Sequence, residues 1–342
     1  MLTLSTWDDY FVHQTEEPIE RVAGKEQHRL DSCYVAVMGV KEDVFLATGL
    51  RSYPNTRNMP AYALAWKDGI QYNFRATREI RNDRADTVVG PLSITIVQPH
   101  KQWKLKLEEN EHAPISYDLE LEAVTVPYLI KTTASATRFG DNFCHLAQPC
   151  RYNGRLVIAG QEYQVKDWIG PRDRFWGVLV GQEVSLHLWM MAQFEGFNVF
   201  VFHEEQADGS IRFSEGAIMT EKQNVPLAHI EHNLVFESGT RRLSSAQFGL
   251  TATDGSQLVL QVTTSEVGVS FAGAPCGGDF SRYIEPLHFE GDRWNLGDRA
   301  TFASLADHLS SWTSEVKCGD QGGYCFLEYA VGQTHSRYGS AA

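Results

Sequence analysis

Short apolar runs dominate the chain from Ser32 onward and determine the fold that the sequence predicts. Residues such as Val, Ile, Phe, Tyr and Trp alternate with polar residues, or form continuous runs of about four to eight, between Gly, Asn and Asp. Runs of this kind are typical of β-strands. In the first half they predict strands at Cys33–Val40, Val44–Leu50, Ala61–Trp66, Ile70–Arg75, Leu92–Val97, Trp103–Leu107 and Ile115–Ala123.

The second half of the chain repeats this pattern with short polar links. Turn signals occur at Lys67-Asp68-Gly69, Asp208-Gly209 and Asp254-Gly255, where glycine adopts a positive φ at little cost. Strands so close in sequence are expected to form antiparallel meanders. The predicted strands of this half are Val184–Met191, Val199–His203, Ile211–Met219, Ile230–Glu237, Gln247–Thr253 and Leu258–Thr264.

Helix signals are few. Apolar residues recur at a period of about 3.6 residues only over Thr301–Trp312, which predicts one short helix. Small and polar residues between Ala134 and Gly154 break the strand pattern and place a domain boundary near residue 148. We therefore predict an all-β protein with two antiparallel barrel or sandwich domains, residues 1–148 and 149–342, and little helix.

Charge and hydropathy exclude several function classes. The 30 Lys and Arg against 43 Asp and Glu give a net charge of −13, and no basic block could neutralise a run of phosphates. Nucleic-acid binding is therefore not expected. The first residues carry no signal-like apolar segment and no apolar run is long enough for a membrane span, so we expect a cytoplasmic protein without stable membrane insertion. A homodimer is left open.

Common cofactor and metal signatures are missing from the sequence. The six cysteines include no Cys-x-x-Cys pair, and no Gly-x-Ser-x-Gly, Gly-x-Gly-x-x-Gly or P-loop sequence occurs. His229 and His232 are three residues apart, which in a strand places them on opposite faces. We therefore expect neither a metal nor another cofactor.

The segment 167–177 concentrates two Trp, two Arg and two Asp in eleven residues. Burial of Asp173 between large aromatic residues would raise the pKa of its carboxyl and make it a proton donor. Alternatively, Arg172 and Arg174 hold the Asp173 carboxylate ionised as a structural ion pair. In a regular strand, Asp173 and Phe175 would share one face and the two arginines the other.

Other polar residues on predicted strands are candidates for ligand contact. His187 and Trp189 alternate along one strand and His203 ends the next, so a pair of histidines facing a pocket is possible, although satisfied or exposed histidines fit equally. Tyr62 and Tyr72 could offer hydroxyls to a cavity, or they could belong to the core.

The residues Gly170-Pro171-Arg172-Asp173-Arg174-Phe175-Trp176-Gly177 resemble the Gly-x-x-Asp-His/Arg-x-Trp-Gly signature of the AttH-like and carotenoid 1,2-hydratase superfamily, in the form found in an uncharacterised branch. Two further segments carry the resemblance, Gly90 to Leu105 and the closing element from Gly322 to Tyr329. The chain differs from the hydratase motif at Pro171, where the family has Tyr, and at Arg174, where it has His.

The resemblance implies two lipocalin-like domains, a cavity for a bulky apolar molecule and no required cofactor. It also implies that Asp173 is the proton donor, with Glu328 of the closing element as a second catalytic candidate or as a partner of a motif arginine. The predicted function is a cofactor-independent, hydratase-like lyase or isomerase acting on a terpenoid, steroid or phenolic compound. The alternatives are a non-catalytic carrier of a hydrophobic small molecule and a partner-binding scaffold. The predicted substrate-binding residues are Trp168, Arg172, Arg174, Trp176, His187, Trp189, Tyr62 and Tyr72.

Overall fold

The structure is a computed structural model that describes residues 4–11, 28–80, 85–132, 143–178, 185–282 and 287–339, together with residues 26, 83 and 284. Within these residues, no helix has the length and apolarity needed to cross a membrane.

The described chain is almost entirely β-structure, and every strand pair is antiparallel. Its one α-helix, α1, covers Arg299–Ser304. The strands are β1 (Arg29–Gly39), β2 (Val44–Ser52), β3 (Asn58–Lys67), β4 (Ile70–Glu79), β5 (Val88–Val89), β6 (Leu92–Gln98), β7 (Gln102–Leu107), β8 (Ile115–Ala123), β9 (Tyr128–Thr132), β10 (Phe143–Ile158), β11 (Gln161–Val178), β12 (Leu186–Gln193), β13 (Asn198–Glu205), β14 (Ile211–Met219), β15 (Asn224–Phe236), β16 (Leu243–Ala252), β17 (Gln257–Ser270), β18 (Leu287–Asn295), β19 (Ser310–Cys318) and β20 (Gln321–Val331).

The strands form two assemblies. A twelve-stranded sheet has the order β18-β4-β3-β2-β1-β11-β10-β8-β7-β6-β5, with β9 paired to β10. The remaining strands close into a barrel in the order β12-β13-β14-β15-β16-β17-β19-β20. The predicted all-β class is confirmed. The predicted hairpin at Lys67-Asp68-Gly69 is also present, and its two turn residues have φ of 50° and 81°.

The polar stretch that suggested a domain boundary is in part a strand. Residues 143–158 form β10, which pairs with β11 and β8, and the bulge in this pairing lies on β11, where Lys166 and Asp167 are opposite Asn153. Gln148 lies within this strand, and the first sheet continues to Val178. The change from sheet to barrel therefore follows residue 178 and not residue 148, and β18 returns from the second half to pair with β4.

The predicted helix at Thr301–Trp312 is shorter than its periodicity suggested. Helix α1 ends at Ser304, and Trp312 lies in β19, where it packs inside the barrel. Of the apolar residues in the helical pattern, Trp312 lies in β19, and the pairing of β19 with β17 and β20 decides its conformation.

Three apolar clusters hold the fold together. One lies on the far face of the sheet and one fills the barrel. The third joins the near face of the sheet, through residues such as Tyr34 and Tyr62, to the outer face of the barrel, through Trp189, Phe200 and Phe202. The sheet and the barrel therefore share a buried interface.

Gly170, the first residue of the aspartate motif, has a structural role. Its φ is 156°, and a side-chain Cβ there would collide with the carbonyl oxygen of Ala36. We expect Gly170→Ala to lower the free energy of unfolding by about 1–3 kcal/mol, measured by urea denaturation. Gly322→Ala is the control, since no atom lies within 4 Å of the added Cβ. Equal stability of the two variants would contradict the expectation.

Candidate active site

Strand β11 places the charged residues of the motif on two faces. Arg172 contacts Asp9 at 2.6 Å, and Arg174 pairs with Asp31 on the same face. Asp173 points the other way, into the interface between sheet and barrel, as strand alternation predicts.

The two arginines are therefore not the partners of Asp173. The Arg172 guanidinium lies over the ring of Trp103 at 3.7 Å, and that of Arg174 lies over Phe11 at 4.4 Å. Both side chains are buried and bind the N-terminal segment to the sheet. The alternative that they hold Asp173 ionised is wrong, and neither reaches the interface as a substrate-binding residue.

Strand register sets the neighbours of Asp173 on the sheet. Ala147 of β10 and Tyr34 of β1 lie directly opposite it on either side. Gly49 of β2 lies opposite Tyr34, and Tyr62 of β3 lies opposite Gly49. A Cβ at Gly49 would lie 2.5 Å from the Tyr62 hydroxyl oxygen, so this glycine lets the tyrosine lean toward Tyr34. We call these five residues the sheet row.

His145 is the nearest polar partner of Asp173. It lies two residues from Ala147 on β10 and is thus a diagonal neighbour of Asp173. Its Nε2 is 3.2 Å from Asp173 Oδ2. The imidazole stacks on Trp189, with centroids 6.0 Å apart, and meets Phe202 edge-on at 5.6 Å. An imidazole and a carboxyl are therefore held together among aromatic rings.

The outer face of the barrel presents a second row against the first. Glu328 of β20 lies opposite Ser311 of β19 and opposite Trp189 of β12, and Trp189 lies opposite Phe202 of β13. We call these four residues the barrel row. Trp189 also packs on Phe200, with centroids 5.1 Å apart. Aromatic rings and the Glu328 carboxylate thus face Asp173 across the interface.

Glu328 belongs to a polar network with His187. The imidazole Nδ1 of His187 is 3.0 Å from Glu204 Oε1, and its Nε2 is 3.2 Å from Glu328 Oε1. The Ser311 hydroxyl donates to the other oxygen of Glu328 at 3.2 Å. Glu328 therefore pairs with a histidine and a serine, and the predicted pairing with a motif arginine is wrong.

The environment of Asp173 favours its neutral form. Burial raises the pKa of its carboxyl above the ordinary value, contact with His145 offsets part of this rise, and the Glu328 carboxylate adds to it. Asp173 Oδ1 is buried without a hydrogen-bond partner in the described part of the chain. A carboxylic acid with an unengaged oxygen can donate a proton to a bound molecule.

The raised pKa has a consequence for stability. A carboxyl whose pKa is higher in the folded state binds more protons when folded, so its contribution to stability falls as pH rises from about 4 through the folded-state pKa. We expect the free energy of unfolding of Asp173→Asn, relative to the wild type, to increase over that range and then level off. Denaturation at a series of pH values measures this difference. Asp118→Asn, at an exposed strand position, is the control for a surface carboxyl, and a pH-independent difference for Asp173→Asn would contradict the prediction.

Of the other predicted site residues, the structure places Tyr62, His187 and Trp189 at the interface. Trp168 and Tyr72 instead pack in or against the cluster on the far face of the sheet. Trp176 is half-buried, and strand alternation puts it on the face of Arg172 and Arg174. His203 lies beside His232 and Glu205 rather than near His187, because it pairs with Leu188 and consecutive residues of a strand face opposite sides.

Several residues of the site were missed or undervalued in the sequence. His145 lies in the stretch interpreted as a boundary, and the alternation of His145 with Ala147 is the only local signal for it. Tyr34 lies in a predicted strand, Glu204 lies one residue beyond a predicted strand, and Ser311 lies in the predicted helix, and none of them was a candidate. Their role follows from register, which single strands do not reveal.

The Arg51 side chain places a positive charge at the solvent-facing edge of the site. The guanidinium of Arg51 lies over the ring of Phe280 at 3.8 Å and faces Phe175 at 5.6 Å, and all three residues are half-buried. The side chains of Asp173 and Glu328 remain 12% and 14% exposed. The two carboxyl groups are therefore not sealed from solvent.

Two groups in the described residues have donor atoms spaced for a metal ion. The first consists of His203, Glu205 and His232. In the second, Cys276, His288 and Glu290, the Glu290 carboxylate already lies 3.4 Å from Arg75 and accepts the N–H of Gly277. Neither group belongs to the sheet row or the barrel row.

A separate cleft of about 440 Å³ lies near the C-terminal end of the described chain. It contains none of the interface residues. Its lining residues are Gly239, Thr240, Arg241, Ala303, Gln333 and Gly339.

The fold is similar to that of solved structures of AttH-like proteins. A protein described as a candidate AttH from Nitrosomonas europaea matches with a TM-score of 0.58 and 10% identity over 93% of this chain and 97% of that chain. CghA in complex with Sch210972 matches with a TM-score of 0.52 and 9% identity over 94% of this chain and 97% of that chain. The resemblance inferred from the motif is thus confirmed at the level of the fold.

Comparison of sequences gives fewer matches than comparison of structures. No curated protein matches the chain significantly. A family model described as a family of unknown function (DUF8625) matches residues 4–341, and the chain belongs to that family.

Proposed function

We propose that the protein is a hydratase-like lyase or isomerase that performs acid–base chemistry on a hydrophobic small molecule at the interface between sheet and barrel. The observation that carries this proposal is the Asp173 carboxyl. It is buried among aromatic rings, in contact with His145, and its pKa is raised by burial. A raised pKa favours the protonated carboxylic acid, which is the form that can donate a proton to a bound molecule.

The interface supplies the other requirements of this chemistry. In hydration, Asp173 transfers its proton to one carbon of an alkene, and the π electrons form the new C–H bond. The cation that develops on the second carbon would be stabilised by the faces of Trp189, Phe200 and Phe202. Water then adds to that carbon and loses a proton to a base. In dehydration the same steps run in reverse.

Glu328 is the proposed base. Its carboxylate lies opposite Trp189 on the barrel row and is held by His187 and Ser311. His145, in contact with Asp173 Oδ2, is placed to return a proton to the acid after each turnover. The two carboxyl groups thus divide the roles of acid and base between sheet and barrel.

The motif resemblance supports the role of Asp173, since the matching aspartate is the proposed proton donor of the carotenoid hydratases. The aromatic lining supports an apolar substrate, and we propose the terpenoid, steroid and phenolic classes. Tyr34 and Tyr62 on the sheet row would orient a polar substituent through their hydroxyls.

The test is a screen of purified protein against terpenoid, steroid and phenolic extracts in ¹⁸O-labelled water. The expected result is a compound that gains or loses the mass of water, with ¹⁸O in any hydrated product. The conversion should be absent with Asp173→Asn and present with Asp118→Asn, whose carboxyl is exposed on the surface of the sheet. A compound that is bound and recovered unchanged from the wild type would overturn the enzyme proposal in favour of a carrier.

A further inference from the structure

A second polar cluster lies inside the barrel. His203 of β13 lies two residues after Val201 of the barrel core, and Glu205 two residues further on, whereas His232 of β15 lies two residues before Leu234. Residues two apart in a strand share a face, so all three side chains face inward. All three side chains are at most 5% exposed. Neighbouring Glu204 faces outward to His187. The cluster is therefore separated from the proposed active site by the wall of the barrel.

The donor atoms of the cluster converge on one point. His203 Nε2 lies 3.1 Å and His232 Nε2 lies 2.7 Å from the same oxygen, Glu205 Oε1. The three donor atoms lie within 4.8 Å of one another. Ligand atoms bound at about 2.0–2.2 Å to one ion stand roughly 3–3.5 Å apart, so small side-chain shifts would admit an ion between them.

The other ring nitrogens of both histidines are engaged by hydroxyls. His203 Nδ1 lies 3.1 Å from Ser214 Oγ, and His232 Nδ1 lies 3.2 Å from Tyr338 Oη. On metal binding, the ion would replace the Nε2 protons that face Glu205, and the hydroxyl oxygens could then accept a proton from Nδ1, so that Nε2 would be the nitrogen that binds the metal. Hydrogen bonds of this kind orient histidine ligands in metal sites.

His335 supports the carboxylate rather than completing the ligand set. Its Nδ1 accepts the backbone N–H of Arg337 at 3.3 Å, so its proton is on Nε2. That Nε2 lies 2.9 Å from Glu205 Oε2, the oxygen that His203 and His232 do not contact. His335 and Tyr338 both belong to the segment that follows β20, so this segment closes the cluster.

We propose that His203, Glu205 and His232 bind one divalent transition-metal ion of the Zn²⁺ or Fe²⁺ class, with His335 as a positioning residue. Two imidazoles and one carboxylate suit these ions, whereas Ca²⁺ and Mg²⁺ prefer ligand sets made of oxygen. The bound ion would stabilise the packing of the C-terminal segment on the barrel, because His335 of that segment contacts the ligand Glu205. This site goes beyond the acid–base function proposed above and does not depend on it.

The experiment uses the full chain after treatment with a chelator. Calorimetric titration with Zn²⁺ is expected to show one equivalent bound, and Co²⁺ should give a visible spectrum of low-symmetry coordination. His203→Gln and His232→Gln should each lose the stoichiometric binding. His335→Gln should keep one equivalent with about 10–100-fold weaker affinity. His229→Gln is the matched control, because His229 is exposed on the same strand as His232.

X-ray absorption spectroscopy of the zinc-loaded wild-type protein tests the proposal even if a variant fails to fold. The expected coordination shell of the zinc ion contains two imidazoles. An ion shell without imidazole would overturn the proposal. So would wild-type binding no stronger than that of His232→Gln, or equal losses in His229→Gln. The cluster would then be a buried carboxylate that is satisfied by histidine hydrogen bonds alone.

Discussion

Replacing Asp173 with asparagine is expected to reduce turnover of an identified substrate by roughly 10²–10⁴-fold, the usual contribution of a positioned general acid. Asparagine keeps the size and the carbonyl acceptor but has no acidic proton. Because burial already raises the pKa of this carboxyl, removing its charge should not weaken the fold. The measurement is kcat together with the dissociation constant of the substrate, which should stay close to the wild-type value.

Glu328→Gln provides the comparison. It removes the proposed base while its amide still contacts His187 and Ser311, so kcat should again fall with the fold retained. A folded and fully active Asp173→Asn variant would show that Asp173 is not the acid. An unfolded Asp173→Asn variant would make this carboxyl a structural group, and Glu328 would then be the first candidate for the acid.

The second large effect is on stability. Arg172→Met is expected to lower the free energy of unfolding by about 3–5 kcal/mol, because it leaves the buried Asp9 carboxylate without its counter-charge. The side chains of this pair are 1% and 0% exposed, and the donor that remains for the Asp9 carboxylate within the described residues is the backbone N–H of His100 at 2.8 Å. Chemical denaturation measures the loss.

A double variant separates the charge from the packing. Asp9→Leu combined with Arg172→Met removes both charges and should recover most of the stability that the single variant loses. Arg155→Met is the control, since the Arg155–Glu162 pair is 46% exposed on both sides and should contribute little. A double variant less stable than Arg172→Met alone would refute the assignment of this pair as the source of the loss.

Local pattern located part of the strands, although β10, β11 and β18 to β20 were not among those predicted. The alternating run Ile115–Ala123 matches β8, whose two faces meet different environments, and the continuous apolar run Val44–Leu50 matches β2, which is buried on both faces. The opposite orientations of Asp173 and its flanking arginines also followed from alternation alone. Where the pattern was ambiguous, at β10 and at Trp312, pairing with neighbouring strands prevailed over local signals.

The chemistry of the sites depends on contacts that no local pattern contains. His145 meets Asp173 because β10 and β11 pair in one register, and Glu328 faces them only because the barrel packs against the sheet. The partners of Arg172 and Arg174 come from residues more than a hundred positions away. The cluster of His203, Glu205, His232 and His335 inside the barrel likewise joins β13, β15 and the C-terminal segment. The spacing of His229 and His232 in the sequence therefore could not predict it. Residue types and alternation specify many of the strands and their faces, whereas the positions of the proposed acid, base and metal-binding groups arise from long-range register and from packing between sheet and barrel.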